Sequence, residues 1–195
     1  MAYIGMGYLV ASPITSETGN NIVYGDGFVI GPAVAANLTY VINDNPDFGD
    51  DVEQDNDNGI NGYNGTIEAT NIEDAVFARL LGWEAVGEGD ALEYESNAGA
   101  PPKMGWGYIG VKRTNGVMRY EAHWFHKAQF TQPTVRNNTK TRQIEWAHPS
   151  LTVNGIAAYL GNTVTPRWFR QKTFTTAAAA MAWLDQKANI TPVTT

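Results

Sequence analysis

Over the first 40 residues, short apolar stretches at 8–11, 22–24, 28–30 and 37–42 alternate with Gly, Asn and Pro. That rhythm predicts three or four short β-strands separated by turns. Residues 66–72 alternate again, with Ile67 and Ala69 set against Thr66, Glu68 and Thr70, and predict a further strand. The period then changes. Ile72, Val76 and Leu80 recur at four-residue spacing with Phe77 and Leu81 beside them, the stripe of an amphipathic helix of about three turns laid on a sheet. Asn71 stands where an N-cap belongs, Asp74 follows three residues later, and Gly82 supplies the left-handed stop.

After an acidic, Gly-rich connection at 83–102, the pattern is that of a hairpin. Residues 104–113 lead to Thr114-Asn115-Gly116, a strong turn signal, and 117–127 return. On the return strand Met118, Tyr120, Ala122 and Trp124 face one way, against Val117, Arg119, Glu121, His123 and Phe125. Further strands are predicted at 128–136 and 141–156, divided by Asn137-Asn138-Thr139. The remainder reads as an extension. Thr175-Thr176 offers a hydroxyl cap to a short helix at about 176–187, with Met181 and Leu184 as its modest apolar stripe, and 190–195 are expected to fray. The fold class is therefore mainly β (α+β): one domain at 1–156 and a C-terminal extension at 157–195.

Residues 43–65 break the pattern. Asp44, Asp47, Asp50, Asp51, Glu53, Asp55 and Asp57 fall there with no basic residue and little apolar periodicity. Such a stretch cannot bury enough surface to order itself alone, so a long acidic loop at about 44–65 is expected, solvated or devoted to protein contacts. The charge of the whole chain repeats this bias. Residues 1–100 hold 17 acids and one base, Arg79, whereas 101–195 hold 12 bases and three acids, for a total of −7. Sign asymmetry of that size points to interaction surfaces.

Chemistry is scarce. With no cysteine, disulfide frameworks, thiolate metal sites and Cys nucleophiles are excluded. The start carries no signal-peptide pattern, and the longest apolar run, 177–184, is too short to span a bilayer. Gly105-Trp106-Gly107-Tyr108-Ile109-Gly110 matches the dinucleotide fingerprint in letters, but it lies inside a predicted strand with no helix after it. The glycines are expected to make room for large aromatic neighbours or to permit a sharp twist. His123 and His126 are three apart in a strand and point to opposite faces unless a bulge intervenes; His148 is isolated. Asp51, Glu53, Asp55 and Asp57 alternate like calcium ligands, yet the frames starting at Asp51, Glu53 and Asp55 lack the Gly that an EF-hand loop needs at its sixth position. The basic residues of the second half are spread, with no block longer than two, which argues against a compact nucleic-acid site.

The order of these features resembles a known family. A Gly-rich strand start, an acidic loop and a strand running into a helix that ends Leu80-Leu81-Gly82 are followed by a hairpin with an Asn-Gly turn. Then come Arg119-Tyr120, Trp124-Phe125, Lys127, Phe130 and Pro133, and finally Thr141 and Pro149-Ser150-Leu151. Over roughly residues 1–156 this looks like the major tail protein, or tail tube protein, of long-tailed bacteriophages. The resemblance implies a β-sandwich or barrel-like domain with one short flanking helix. It implies six copies per ring, rings stacked into a tube, and DNA passing through the lumen without specific binding on its way to the host.

It further implies no active site and no cofactor, no membrane association, assembly in the host cytoplasm, and residence in the virion. The implied partners are the chain itself and the tail tip, tape-measure and tail terminator proteins. The family's long loop, which contacts the adjacent ring, would correspond here to 44–65, with the seven acids as the candidate self-assembly residues. The chain departs from the family in the acidity of that loop and in residues 157–195. Complementary acidic and basic surfaces suit head-to-tail assembly, and a DNA conduit is expected to keep its basic side chains at interfaces or outside, leaving an acidic or neutral lumen. The alternative is a secreted or surface β-sandwich binding module for glycans or calcium, for which six Trp and nine Tyr supply stacking surface.

Overall fold

The computed structural model describes residues 2–42, 46–49, 52–56, 59–96, 99–131, 148–161 and 165–191. The first part of the chain gives β1 (Ala2–Thr18), β2 (Asn21–Tyr24), β3 (Phe28–Gly31), β4 (Ala33–Ile42), β5 (Pro46–Gly49), β6 (Val52–Asn56) and β7 (Ile60–Ala69). Helix α1 (Asp74–Leu81) precedes a small hairpin of β8 (Glu84–Val86) and β9 (Glu93–Glu95). Then follow β10 (Lys103–Thr114), β11 (Val117–Thr131), β12 (Ser150–Gly155), β13 (Phe169–Phe174) and helix α2 (Ala177–Ala188). The protein is mainly β, of the α+β class.

The spine is the antiparallel hairpin β10–β11. Its turn residues, Asn115 and Gly116, both have positive φ, 50° and 80°, the left-handed pair that matches the twist of two-residue hairpins. The sheet runs β2-β1-β10-β11-β12-β7-β4, with β3 added to β1 and β13 to β11. The first half of β11 pairs with β13 and its last four residues with β12. The sheet thus turns from one layer into a second at this strand and becomes sandwich-like.

Alternation along β11 feeds two cores. Phe125 and Phe130 join Leu9, Trp106, Tyr63, Ile67, Leu151 and Leu80 between the layers. Ala122 and Trp124 face the other way, with Val10 and Ile109, against Ala180, Leu184 and Ala188 of α2. A bulge makes this possible. Met104 pairs with Ala128 but Trp106 with Phe125, so β11 carries one extra residue there, which keeps Phe125, Ala128 and Phe130 in the same core. Trp106 and Phe125 stack across the ladder with centroids 4.5 Å apart.

The glycine run at 105–110 lies within β10, as expected from its strand context. A Cβ on Gly105 would meet the Trp124 ring at 2.5 Å, and one on Gly107 would meet the His123 carbonyl oxygen at 2.5 Å and Leu184 at 2.8 Å. These glycines are the floor on which Trp124 and α2 sit.

Several expectations need correction. The acidic stretch is not one long loop: β5 and β6 pair as a separate hairpin, and 60–65 already belong to β7. The first strand, expected to be short, has 17 residues because successive parts of it pair with β10, β3 and β2. Helix α1 has eight residues rather than about three turns, and its N-cap is Glu73 without a side-chain hydrogen bond, not Asn71. Gly82 does close it, at φ 73°. The 83–102 connection contains β8 and β9. The later strands predicted at 128–136 and 141–156 are observed as the end of β11 and as β12, and 132–147 lie outside the described residues. Thr176 caps α2, its side chain accepting from the Ala179 amide at 3.3 Å. The buried stripe of α2 is Ala180, Leu184 and Ala188, with Met181 exposed, because the helix sits close to the glycine floor and small residues let it approach.

Candidate assembly surface

Strand β4 ends the sheet path and pairs only with β7 among the described residues. From Ala33 to Ile42 it carries no charge. Val34, Tyr40, Val41 and Ile42 are exposed, as are Tyr3 and Ile4 of β1 and Ile60 of β7. Between the start of β1 and the start of β4 runs a groove of about 420 Å³, lined by Tyr3, Ile4, Met6, Val34, Ala36 and Tyr108 among others. The start of β1 lies across this groove from β4, and β4 has no ladder partner other than β7 among the described residues.

A buried polar cluster fixes the wall of this groove. Glu121 of β11 accepts from the Tyr3 hydroxyl, from the Lys112 ammonium, and from His123 Nε2 at 3.2 Å. Lys112 also lies 4.6 Å from the centre of the Tyr3 ring, and Tyr108 stacks on His123 at 4.9 Å. Burial alone would raise the Glu121 pKa, but hydrogen bonds from Lys112 and Tyr3 and the charge of His123 outweigh it, so its carboxyl is held below the usual value. The Lys112 pKa is raised, first by its hydrogen bond to Glu121. Burial lowers that of His123 against the pull of Glu121. The cluster ties the N-terminal end of β1 to the central hairpin and holds Tyr3 at the groove.

The seven predicted acids fare unevenly. Asp44, Asp50, Asp51 and Asp57 lie outside the described residues. Asp47 is in β5, and Glu53 and Asp55 are in β6, with Asp47 opposite Asp55 and Phe48 opposite Glu53 in the backbone register. Acid opposite acid weakens a ladder. A bulge does fall at His126, yet the two histidines answer to different surroundings: His123 to Glu121 and Tyr108, His126 to the cations on the α2 side. His148 is exposed. Among the described residues no three His, Asp or Glu side chains come together as a metal ion requires.

The basic residues of the second half are scattered along the sequence, but the fold brings four of them near one another. Arg170 lies opposite Trp124 and Lys172 opposite Ala122 in the β11–β13 ladder, so both share the face that carries α2. Lys187 comes from the last turn of α2 and Arg167 from the segment entering β13. Next to them is His126, buried, with Nε2 lacking any hydrogen-bond partner among the described residues. Burial first, then the positive charges of Arg170, Lys187 and Arg167, push its pKa down to about 4. The available signal was the alternation Arg170–Lys172 in a short strand, followed by a helix with a basic last turn. No family model and no curated protein matches the chain.

Proposed function

We propose that the chain is a self-assembling structural subunit, the major tail protein of a long-tailed phage. Its copies would form hexameric rings that stack into a tube for DNA delivery. The observation that carries this reading is the β4 edge. A monomer that must stay soluble blunts an open strand with Lys, Pro or a covering segment; this edge has ten uncharged residues and an apolar strip beside it. Such an edge is stable in water when another copy covers it. The charge division supplies complementary patches for head-to-tail contact, and it needs no active site or cofactor. In this reading the basic side chains belong to subunit contacts and the lumen passes DNA without gripping it, while tail tip, tape-measure and tail terminator proteins bound the tube.

The binding-module alternative is less well supported. The five tryptophans among the described residues, Trp83, Trp106, Trp124, Trp168 and Trp183, are all buried or half-buried, which leaves exposed Tyr3, Tyr40 and Tyr159 as the stacking surface such a module would have to use. Negative-stain electron microscopy of the purified chain at high concentration tests the proposal. Rings or tubes of uniform diameter are expected; particles that stay monomeric across concentration and salt, with glycan retention or calcium-dependent melting, would replace it with the alternative.

A further inference from the structure

We infer that the face made by β13, the last turn of α2 and the segment entering β13 binds a doubly charged oxyanion of the phosphate class. Arg167, Arg170, Lys187 and the His126 ring hold it. The inference goes beyond the self-assembly reading and does not depend on it. His126 is the residue that points to a ligand. It is only 4% exposed, and its Nε2 has no hydrogen-bond partner among the described residues. Its backbone is already engaged: the amide donates to the Trp168 carbonyl at 3.1 Å, and the carbonyl accepts from the Tyr24 hydroxyl at 2.9 Å. Buried polar atoms are almost always paired in native proteins, so this nitrogen is one that a bound ligand can complete.

The surroundings decide which ligand. Arg170 stands opposite Trp124 in the β11–β13 ladder, two positions along the chain from His126. Lys187 comes from the last turn of α2 and Arg167 from the segment before β13, and all three cations act on the imidazole. Arg170 also acts on the Tyr24 hydroxyl, the group that donates to the His126 carbonyl. Lys172 lies 5.1 Å from the Phe174 ring and Lys187 lies 5.7 Å from the Trp183 ring. Those rings are 6.1 Å apart, so the positive charge is continuous across the face. None of the four cations is in an ion pair among the described residues. Glu17 and Glu121 are held by Lys103, Lys127 and Lys112, and Asp185, the one acid of α2, accepts from the Tyr8 hydroxyl. Unbalanced cations repel one another, and an anion among them removes that cost, whereas a metal cation would add to it. A phosphate-class dianion suits the face better than a carboxylate. It brings two charges, and its oxygens accept from guanidinium forks and a ring N–H at once. Burial first, then the cations, push the His126 pKa down to about 4, so near neutral pH the ring is uncharged and has one N–H to give.

The full-length chain is titrated with inorganic phosphate at constant ionic strength, followed by calorimetry and by the NMR signals of the histidine rings. Saturable binding is expected, with the His126 signals moving and those of exposed His148 staying in place. Arg170 and Arg113 are both exposed, so Arg170→Gln and Arg113→Gln remove the same charge from the surface at different places. Arg170→Gln should weaken phosphate binding by at least about tenfold, and Arg113→Gln should leave it within about twofold. Equal losses in the two variants would reduce the effect to diffuse charge and overturn the inference. So would the lack of saturable binding at millimolar phosphate, or binding that leaves the His126 signals unmoved. A nucleoside 5′-monophosphate in place of phosphate identifies the source: tighter binding assigns the site to a phosphomonoester, equal binding to the free ion. A single-stranded oligonucleotide that binds where neither small phosphate does overturns the inference in favour of a nucleic-acid surface. None of these readouts requires rings or tubes, so the self-assembly reading is decided separately.

Discussion

Two open edges of one sheet treat water in opposite ways. Strand β4 offers ten residues without a charge, among them the exposed Val34, Tyr40, Val41 and Ile42. Strand β13 offers six residues with Arg170 and Lys172 and is backed by Lys187. Both leave a row of backbone groups without a strand partner among the described residues. Like charge opposes pairing of the β13 edge with a second β13, whereas the β4 edge carries no charge that would oppose another strand.

The largest effect is expected from making the first edge resemble the second. Thr39 and Val41 are both exposed, so T39K/V41K should fold normally by circular dichroism yet fail to assemble in sedimentation velocity, at concentrations about 100-fold above those that suffice for wild type. If it assembles like the wild type, β4 is not an interface.

Undermining the platform of the second edge comes next. Leu184→Ala removes a fully buried side chain between α2 and the glycine floor and should cost about 2–5 kcal/mol in urea unfolding. A cost below about 1 kcal/mol would mean α2 is not part of the cooperative fold.

Acid should separate the two edges further. Burial, and after it the positive charges of Arg170, Lys187 and Arg167, push the pKa of His126, beside β13, down to about 4 from the ordinary imidazole value near 6.5. A group lowered on folding contributes stability that is present above its unfolded value and is lost as pH falls toward the folded one. Wild type should therefore weaken between about pH 6.5 and 4, and His126→Phe should weaken less. Glu121, behind the β4 groove, is lowered from 4.5, so its contribution is lost at still lower pH, and Glu121→Gln should flatten only that part of the profile. Denaturant midpoints at stepped pH check both; identical profiles for wild type and His126→Phe would remove His126 from the account.

The smallest contrast lies in the caps. Thr176→Ala should cost about 1 kcal/mol, while Asn71→Ala should stay within about 0.5 kcal/mol, because Thr176 caps its helix and Asn71 does not. Equal losses would contradict the assignment.

What the sequence revealed and concealed follows from the range of the interactions. The β10–β11 hairpin was legible because Asn115-Gly116 and strict alternation on either side are local signals. The glycines of 105–110 were legible as spacers for bulky neighbours, although not that Trp124 and Leu184 were those neighbours. The cap at Asn71 failed because tertiary packing, with Ile72 drawn into the core, starts the helix two residues later than the capping pattern would. The acidic residues were singled out by composition alone. The basic residues stayed hidden as a group because Arg170, Lys172 and Lys187 share a face only after β13 pairs with β11 and α2 folds back over the sheet, where Tyr8 and Asp185 meet across 177 positions, contacts that no local pattern encodes.

Self-assembly through the uncharged β4 edge is the proposal on which the expectations for assembly depend. Sedimentation velocity of wild type and T39K/V41K, run side by side over a range of concentrations, tests it most directly. Concentration-dependent growth to large, uniform species is expected for the wild type and a single monomeric boundary for the variant. Wild type remaining monomeric throughout, or the two proteins sedimenting alike, would contradict it.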